Sequence, residues 1–86
     1  MGIQFNYRGE VYQLKQYVYP NRQISKSYYR LSKLNGNTTQ KSKCKEILDY
    51  FGYWEENYEL LQPYEIGYIL YKKIIENHIP YTVIDE

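Results

Sequence analysis

Cys44 and His78 are the only cysteine and the only histidine of the 86-residue chain. A nucleophilic Cys–His pair needs the two in contact and a third group to orient the imidazole. Cys44 instead falls on an apolar helical stripe, where a free cysteine behaves as a small hydrophobe. His78 stands at the end of a helical pattern, where an imidazole favours the dipole. One cysteine and one histidine cannot make a closed zinc site, so no metal is expected. Gly9, Gly36, Gly52 and Gly67 are too widely spaced for a phosphate-cradling loop, and GxxxxGK[ST] is absent. No cofactor is expected either. Among carboxylates, Glu55 and Glu59 share a helix face at i, i+4 beside Glu56. Acid–base work would need them in a cleft that shifts their pKa values. A solvated acidic face explains them more simply, so the chain reads as non-enzymatic.

Binding chemistry has more to work with. The net charge of +1 conceals a segregation. Residues 1–45 carry +8, from nine cations against Glu10, and residues 46–86 carry −7, from nine acids against Lys72 and Lys73. Either the surface has two poles, or the halves neutralise each other within the fold. Residues 22–45 hold Arg22, Lys26, Arg30, Lys33, Lys41, Lys43 and Lys45 without one acid. Tyr28 and Tyr29 lie inside this run. Cations neutralise phosphates and rings stack on bases, a combination suited to single-stranded or flexible nucleic acid. If the run is a strand, Lys26, Tyr28 and Arg30 share a face. The plainer alternative buries Tyr28 in the core and leaves the cations solvated.

A second candidate surface follows. Asp49, Tyr50, Tyr53, Glu55, Glu56 and Glu59 place two rings that lie off the helical stripe among four carboxylates. Aromatic residues are enriched in binding hot spots, and acids around them steer a basic partner. Trp54 and Tyr58 fit the core stripe better.

These residues must be positioned by a few short elements. Ile3, Phe5 and Tyr7 alternate with polar neighbours, Arg8-Gly9 offers a turn, and Tyr12, Leu14 and Val18 share a face. That pattern predicts a β-hairpin. Pro20-Asn21 ends the second strand. Residues 22–34 fit helix or strand; a third strand makes the sheet viable and is preferred. Asn35–Gln40 is a turn, with Thr38 or Thr39 as helix cap. Cys44, Ile47, Leu48 and Phe51 then form a helical stripe, continued by Trp54, Tyr58 and Leu61 unless Gly52 breaks it. Pro63 opens a further helix. Tyr64, Tyr68, Tyr71, Ile75 and His78 cluster on one side of it, Ile66, Leu70 and Ile74 widen the arc, and Gly67 permits close backbone approach. Pro80 stops it, and IPYTVIDE, residues 79–86, reads as a short final strand with Tyr81 and Val83 facing opposite to Thr82 and Ile84. The fold expected is α+β: one domain, an N-terminal antiparallel hairpin or sheet, two or three helices and a closing strand.

The 13 tyrosines accompany a general bias toward Ile, Lys, Asn and Tyr, the signature of AT-rich coding found in phages and mobile elements. A lone cysteine and the absence of an apolar leader point to a reducing, cytoplasmic setting, and no apolar run approaches the ~20 residues of a membrane span. The reading reached is a small phage- or mobile-element-type inhibitor. It would act by protein contact on a nucleic-acid-processing enzyme with a basic surface, such as a nuclease. The alternative is direct nucleic-acid binding by the basic half.

Overall fold

The structure, a computed structural model, describes residues 2–18, 24–36 and 41–84, without the side chains of 17, 18 and 24–27. Strands β1 (Gly2–Tyr7), β2 (Glu10–Val18) and β3 (Ile24–Lys33) precede helix α1 (Lys41–Phe51). A 3-10 segment (Glu56–Leu60), helix α2 (Pro63–Glu76) and strand β4 (Tyr81–Ile84) follow. The sheet is antiparallel with order β3-β2-β1-β4. The α+β architecture is therefore the one the residue pattern predicts, and residues 24–33 form the third strand rather than a helix.

β1 and β2 close on a two-residue turn. Tyr7 pairs with Glu10, and Arg8 and Gly9 both have positive φ, 50° and 83°. This is the conformation that matches strand twist in tight hairpins. Arg8 lacks glycine's freedom there. The turn gains a hydrogen bond from the Gly9 N–H to Asn6 Oδ1 at 3.0 Å.

Register decides the core. Ile3 pairs with Leu14 and Leu14 with Leu31, while Phe5 pairs with Tyr12, so their side chains share one face. That face is buried against Cys44, Ile47 and Leu48 of α1 and Ile66, Leu70 and Ile74 of α2. The other face carries Gln4, Gln13, Ser32 and Thr82 in one row, with Gln13 Nε2 donating to Gln4 Oε1 at 3.0 Å. A hydrophobic face and a polar face on alternating residues are what a half-covered antiparallel sheet requires.

Of the two alternatives at Gly52, the break is the one formed: α1 stops at Phe51 and does not continue through Trp54, Tyr58 and Leu61. Gly52 takes φ +85°, its N–H donates to the Asp49 carbonyl at 3.0 Å, and the Tyr53 N–H reaches the Leu48 carbonyl at 2.8 Å. These two bonds form a Schellman cap, which glycine's left-handed backbone makes inexpensive. Trp54, Tyr58 and Leu61 still pack on the core margin, from a differently directed segment.

α2 begins at Pro63, and Glu65 Oε1 accepts the Gln62 N–H at 3.0 Å within a capping box. It ends in a second Schellman cap, His78 N–H to Ile75 and Ile79 N–H to Ile74, with His78 at φ 56°. His78 is therefore exposed beyond the helix and not on its apolar side with Tyr64, Tyr68 and Tyr71. Gly67 performs the expected close approach: a Cβ there would lie 2.1 Å from the Tyr29 carbonyl oxygen. The Pro20-Asn21 turn and the caps at Thr38 or Thr39 lie outside the described residues.

Candidate functional site: the face of α1 and its return segment

The segment after α1 runs back along the helix, and charge pins it there. Glu59 pairs with Lys45 at 3.2 Å and with Lys41 at 3.9 Å, and Lys41 also donates to the Glu59 backbone carbonyl. Lys45 stands over the Trp54 ring, 5.4 Å from its centroid, and Trp54 meets Tyr58 edge-on at 5.5 Å. Tyr58 in turn donates to Glu55 at 3.1 Å. Burial and the nearby Glu55 carboxylate raise the Tyr58 pKa. Together, Lys41, Ser42, Lys45, Trp54 and Glu59 line a shallow groove of about 260 Å³.

The opposite flank of α1 meets the hairpin. The Tyr7 hydroxyl donates to Glu46 Oε2 at 2.6 Å, and Lys43 reaches both carboxylate oxygens at 3.2 and 3.3 Å. The Tyr7 hydrogen bond, then Lys43, hold the Glu46 carboxyl below its ordinary range. Desolvation, then Glu46, raise Tyr7. Glu10 pairs with Lys33 at 2.9 Å and is likewise lowered, chiefly by that lysine. Tyr50 packs edge-on against Tyr7 at 5.2 Å and against Phe51 at 5.3 Å, yet stays 62% exposed.

Of the candidate nucleic-acid residues, Lys33, Lys41, Lys43 and Lys45 each face a carboxylate of the same chain. For these four, the opposite charges neutralise each other within the fold. Tyr29 is a correction. It is 4% exposed, stacked on Tyr71 with ring centroids 4.1 Å apart, and cannot offer its ring to a base. Burial, then Tyr71, push its pKa well above the ordinary tyrosine value. Tyr28 is half-buried against Tyr64 at 4.4 Å. Arg30 is exposed and pairs across the strands with Lys15 on the helix-free face. Arg22 and the side chain of Lys26 lie outside the described residues.

Of the acidic-aromatic candidates, the structure leaves Asp49, Tyr50, Glu55 and Glu56 exposed. Tyr53 does not join them. It is half-buried against the core, with Lys73 of α2 over its ring at 5.6 Å. Glu59 is exposed but occupied by its two lysines. The residue that sequence reasoning missed is Leu60, the most exposed large hydrophobic described at 88%. Only the 3-10 geometry separates it from Leu61, which turns toward the core. No periodicity distinguishes the two leucines of a Leu-Leu pair.

Cys44 is 3% exposed, and burial pushes its thiol up to about 12, the reverse of what a nucleophile needs. Among the described residues, no three His, Cys, Asp or Glu side chains gather to hold a metal, and no helix is long and apolar enough to cross a membrane. No protein-family model matches the chain, and no curated protein or solved structure is similar enough to count as a match.

Proposed function

We propose that this is a non-enzymatic binding protein that engages a basic protein surface through the segment after α1. Leu60 is the apolar anchor, Glu55 and Glu56 the steering charges, and Asp49 and Tyr50 the flanking contacts. The observation that carries the reading is Leu60 itself, held out at 88% exposure on a segment whose neighbour Glu59 is fastened to α1 by two lysines. An exposed apolar side chain on a mobile tip would be unremarkable. One fixed in place by ion pairs, beside carboxylates, is pre-organised for a partner and loses less entropy on binding. Among the described residues neither the Asp49 nor the Glu56 carboxylate has a hydrogen-bond or ion-pair partner, so their charge is available to an incoming cation. A nuclease or other nucleic-acid enzyme carries a basic groove of the kind such a surface complements.

The test is photo-crosslinking in host extract from a reactive group placed at exposed Asn57 on the same segment, compared among chains otherwise wild type, Leu60→Ala and Glu56→Lys. The reading expects one crosslinked basic protein, its yield cut at least tenfold by either variant. Equal capture by all three, or no crosslinked protein, refutes it.

A second reading rests on Lys15 and Arg30, which pair across strands on the helix-free face. Two cations side by side on adjacent strands suit a polyanion. Direct binding of single-stranded nucleic acid would weaken steeply with salt and be lost in a Lys15→Glu/Arg30→Glu variant. Absence of binding at low salt removes it.

A further inference from the structure

β4 is an edge strand of unusual character. Its register places Tyr81 beside Phe5 and Val83 beside Ile3, on the face that the helices cover. Phe5 and Ile3 are buried, yet Tyr81 is 39% and Val83 62% exposed. The helical layer therefore ends before the sheet does. The two edges also differ in charge. β3, the opposite edge, carries Arg30 and Lys33 and lies under α2, whose Gly67 touches Tyr29. Cations on an edge strand discourage pairing with another chain. β4 has the sequence Tyr-Thr-Val-Ile, without a charge and with residues that favour strands.

We infer that β4 is a self-association edge, pairing antiparallel with β4 of a second copy about a two-fold axis through Thr82. This register sets Tyr81 opposite Val83 of the second copy, twice, and Thr82 opposite Thr82. Aromatic–β-branched and Thr–Thr pairs are favourable cross-strand combinations. A two-fold axis normal to the sheet keeps both helical layers on the same side. The four exposed side chains then fill the gap between those layers, and the two sheets become one of eight strands. The Tyr-Thr-Val sequence is complementary to itself under that rotation, which argues for a second copy over an unrelated strand. Only one edge of each molecule is free of charge, so the assembly closes as a dimer and does not extend into a fibre. Four-residue pairing covers less surface than the roughly 1,200–2,000 Å² of stable interfaces, so the dimer forms at high concentration.

Sedimentation equilibrium of the full chain from about 10 µM to 1 mM, the range of weak specific association, reads it directly. Wild type is expected to pass from monomer to dimer. Val83→Lys, at an exposed position, should raise the dissociation constant at least tenfold with unchanged circular dichroism. Thr82→Cys supplies an independent readout. Directly opposed Cα atoms in an antiparallel pair lie about 4.5–5.5 Å apart, within disulfide range, so mild oxidation should link the copies through residue 82. Buried Cys44 does not compete. A wild type that stays monomeric throughout overturns the proposal. So does a Val83→Lys variant that associates as tightly as wild type, or a Thr82→Cys protein that fails to crosslink.

Discussion

Gly67→Ala sets two effects of opposite sign against each other. Alanine in place of a mid-helix glycine stabilises a free helix by about 1 kcal/mol. In this fold the added Cβ would stand 2.1 Å from the Tyr29 carbonyl oxygen and 2.9 Å from its carbon, both backbone atoms that no rotamer change removes. Ordinary contact begins near 3.4 Å, so α2 and β3 must part by about 1.3 Å at this point. Ile66, Leu70 and Ile74 line the same interface with no exposed surface. Each is worth ~1.5–3 kcal/mol when fully buried. A gap of 0.5–1 Å forfeits about a quarter to a half of the dispersion well. The loss over the three is then about 1–4.5 kcal/mol, centred near ~2.5, and after the helix gain of about 1 the variant should be less stable by about 1–2 kcal/mol at the centre of that range. Urea unfolding followed by far-UV circular dichroism measures this. At a slope near 1 kcal/mol/M, the midpoint falls by about 1–2 M. Weakening of the Tyr29–Tyr71 stack should also reduce the near-UV signal. A midpoint equal to or above wild type would refute the close approach of α2 to β3, because propensity would then be the only effect present.

Other consequences follow from particular residues. His78→Gly should stabilise the protein by about 1 kcal/mol, because His78 holds a left-handed backbone at φ 56° and is exposed; thermal melting checks it. The Cys44 thiol should resist a disulfide reagent at pH 8 in the native protein and react at once in urea, since burial raises its pKa to about 12; equal rates would show the site to be open. Glu46 and Glu10 have folded pKa values below their ordinary 4.5. Their contribution is present above that value and lost as pH falls through the lower folded values. Stability should therefore decline below about pH 4.5, less steeply in Glu46→Gln. Tyr7, Tyr29 and Tyr58 are shifted upward from 10, so their contribution is complete below pH 10 and lost above it. Tyrosinate absorbance should accordingly show a late-titrating group of rings that becomes ordinary on unfolding.

Local pattern and tertiary contact divided the description of this protein between them. Alternation in Ile3, Phe5 and Tyr7, the Arg8-Gly9 turn, the stripe of Cys44, Ile47 and Leu48, and Pro63 each act within a few residues. They were legible because backbone geometry and face are set at that range. Gly67 was legible for the same reason: a glycine on an apolar arc has few other uses. The candidate site was legible only in outline. Asp49, Tyr50, Glu55 and Glu56 are exposed as their spacing implied, whereas Tyr53 and Glu59 were claimed by Lys73, Lys41 and Lys45 from distant positions. Tyr29 was drawn into the core by Tyr71, 42 positions further along the chain. The sequence alone determined the hairpin, the stripe of α1, the start of α2 and the apolar faces, because periodicity and turn chemistry are local, while strand or helix at residues 22–34 and the break at Gly52 stayed open. The tertiary structure decided which cations are already neutralised, which rings are buried, and that Leu60 and Val83 stand in solvent. Each of those depends on which partner the folded chain brings within a few ångströms, and no local pattern contains that information.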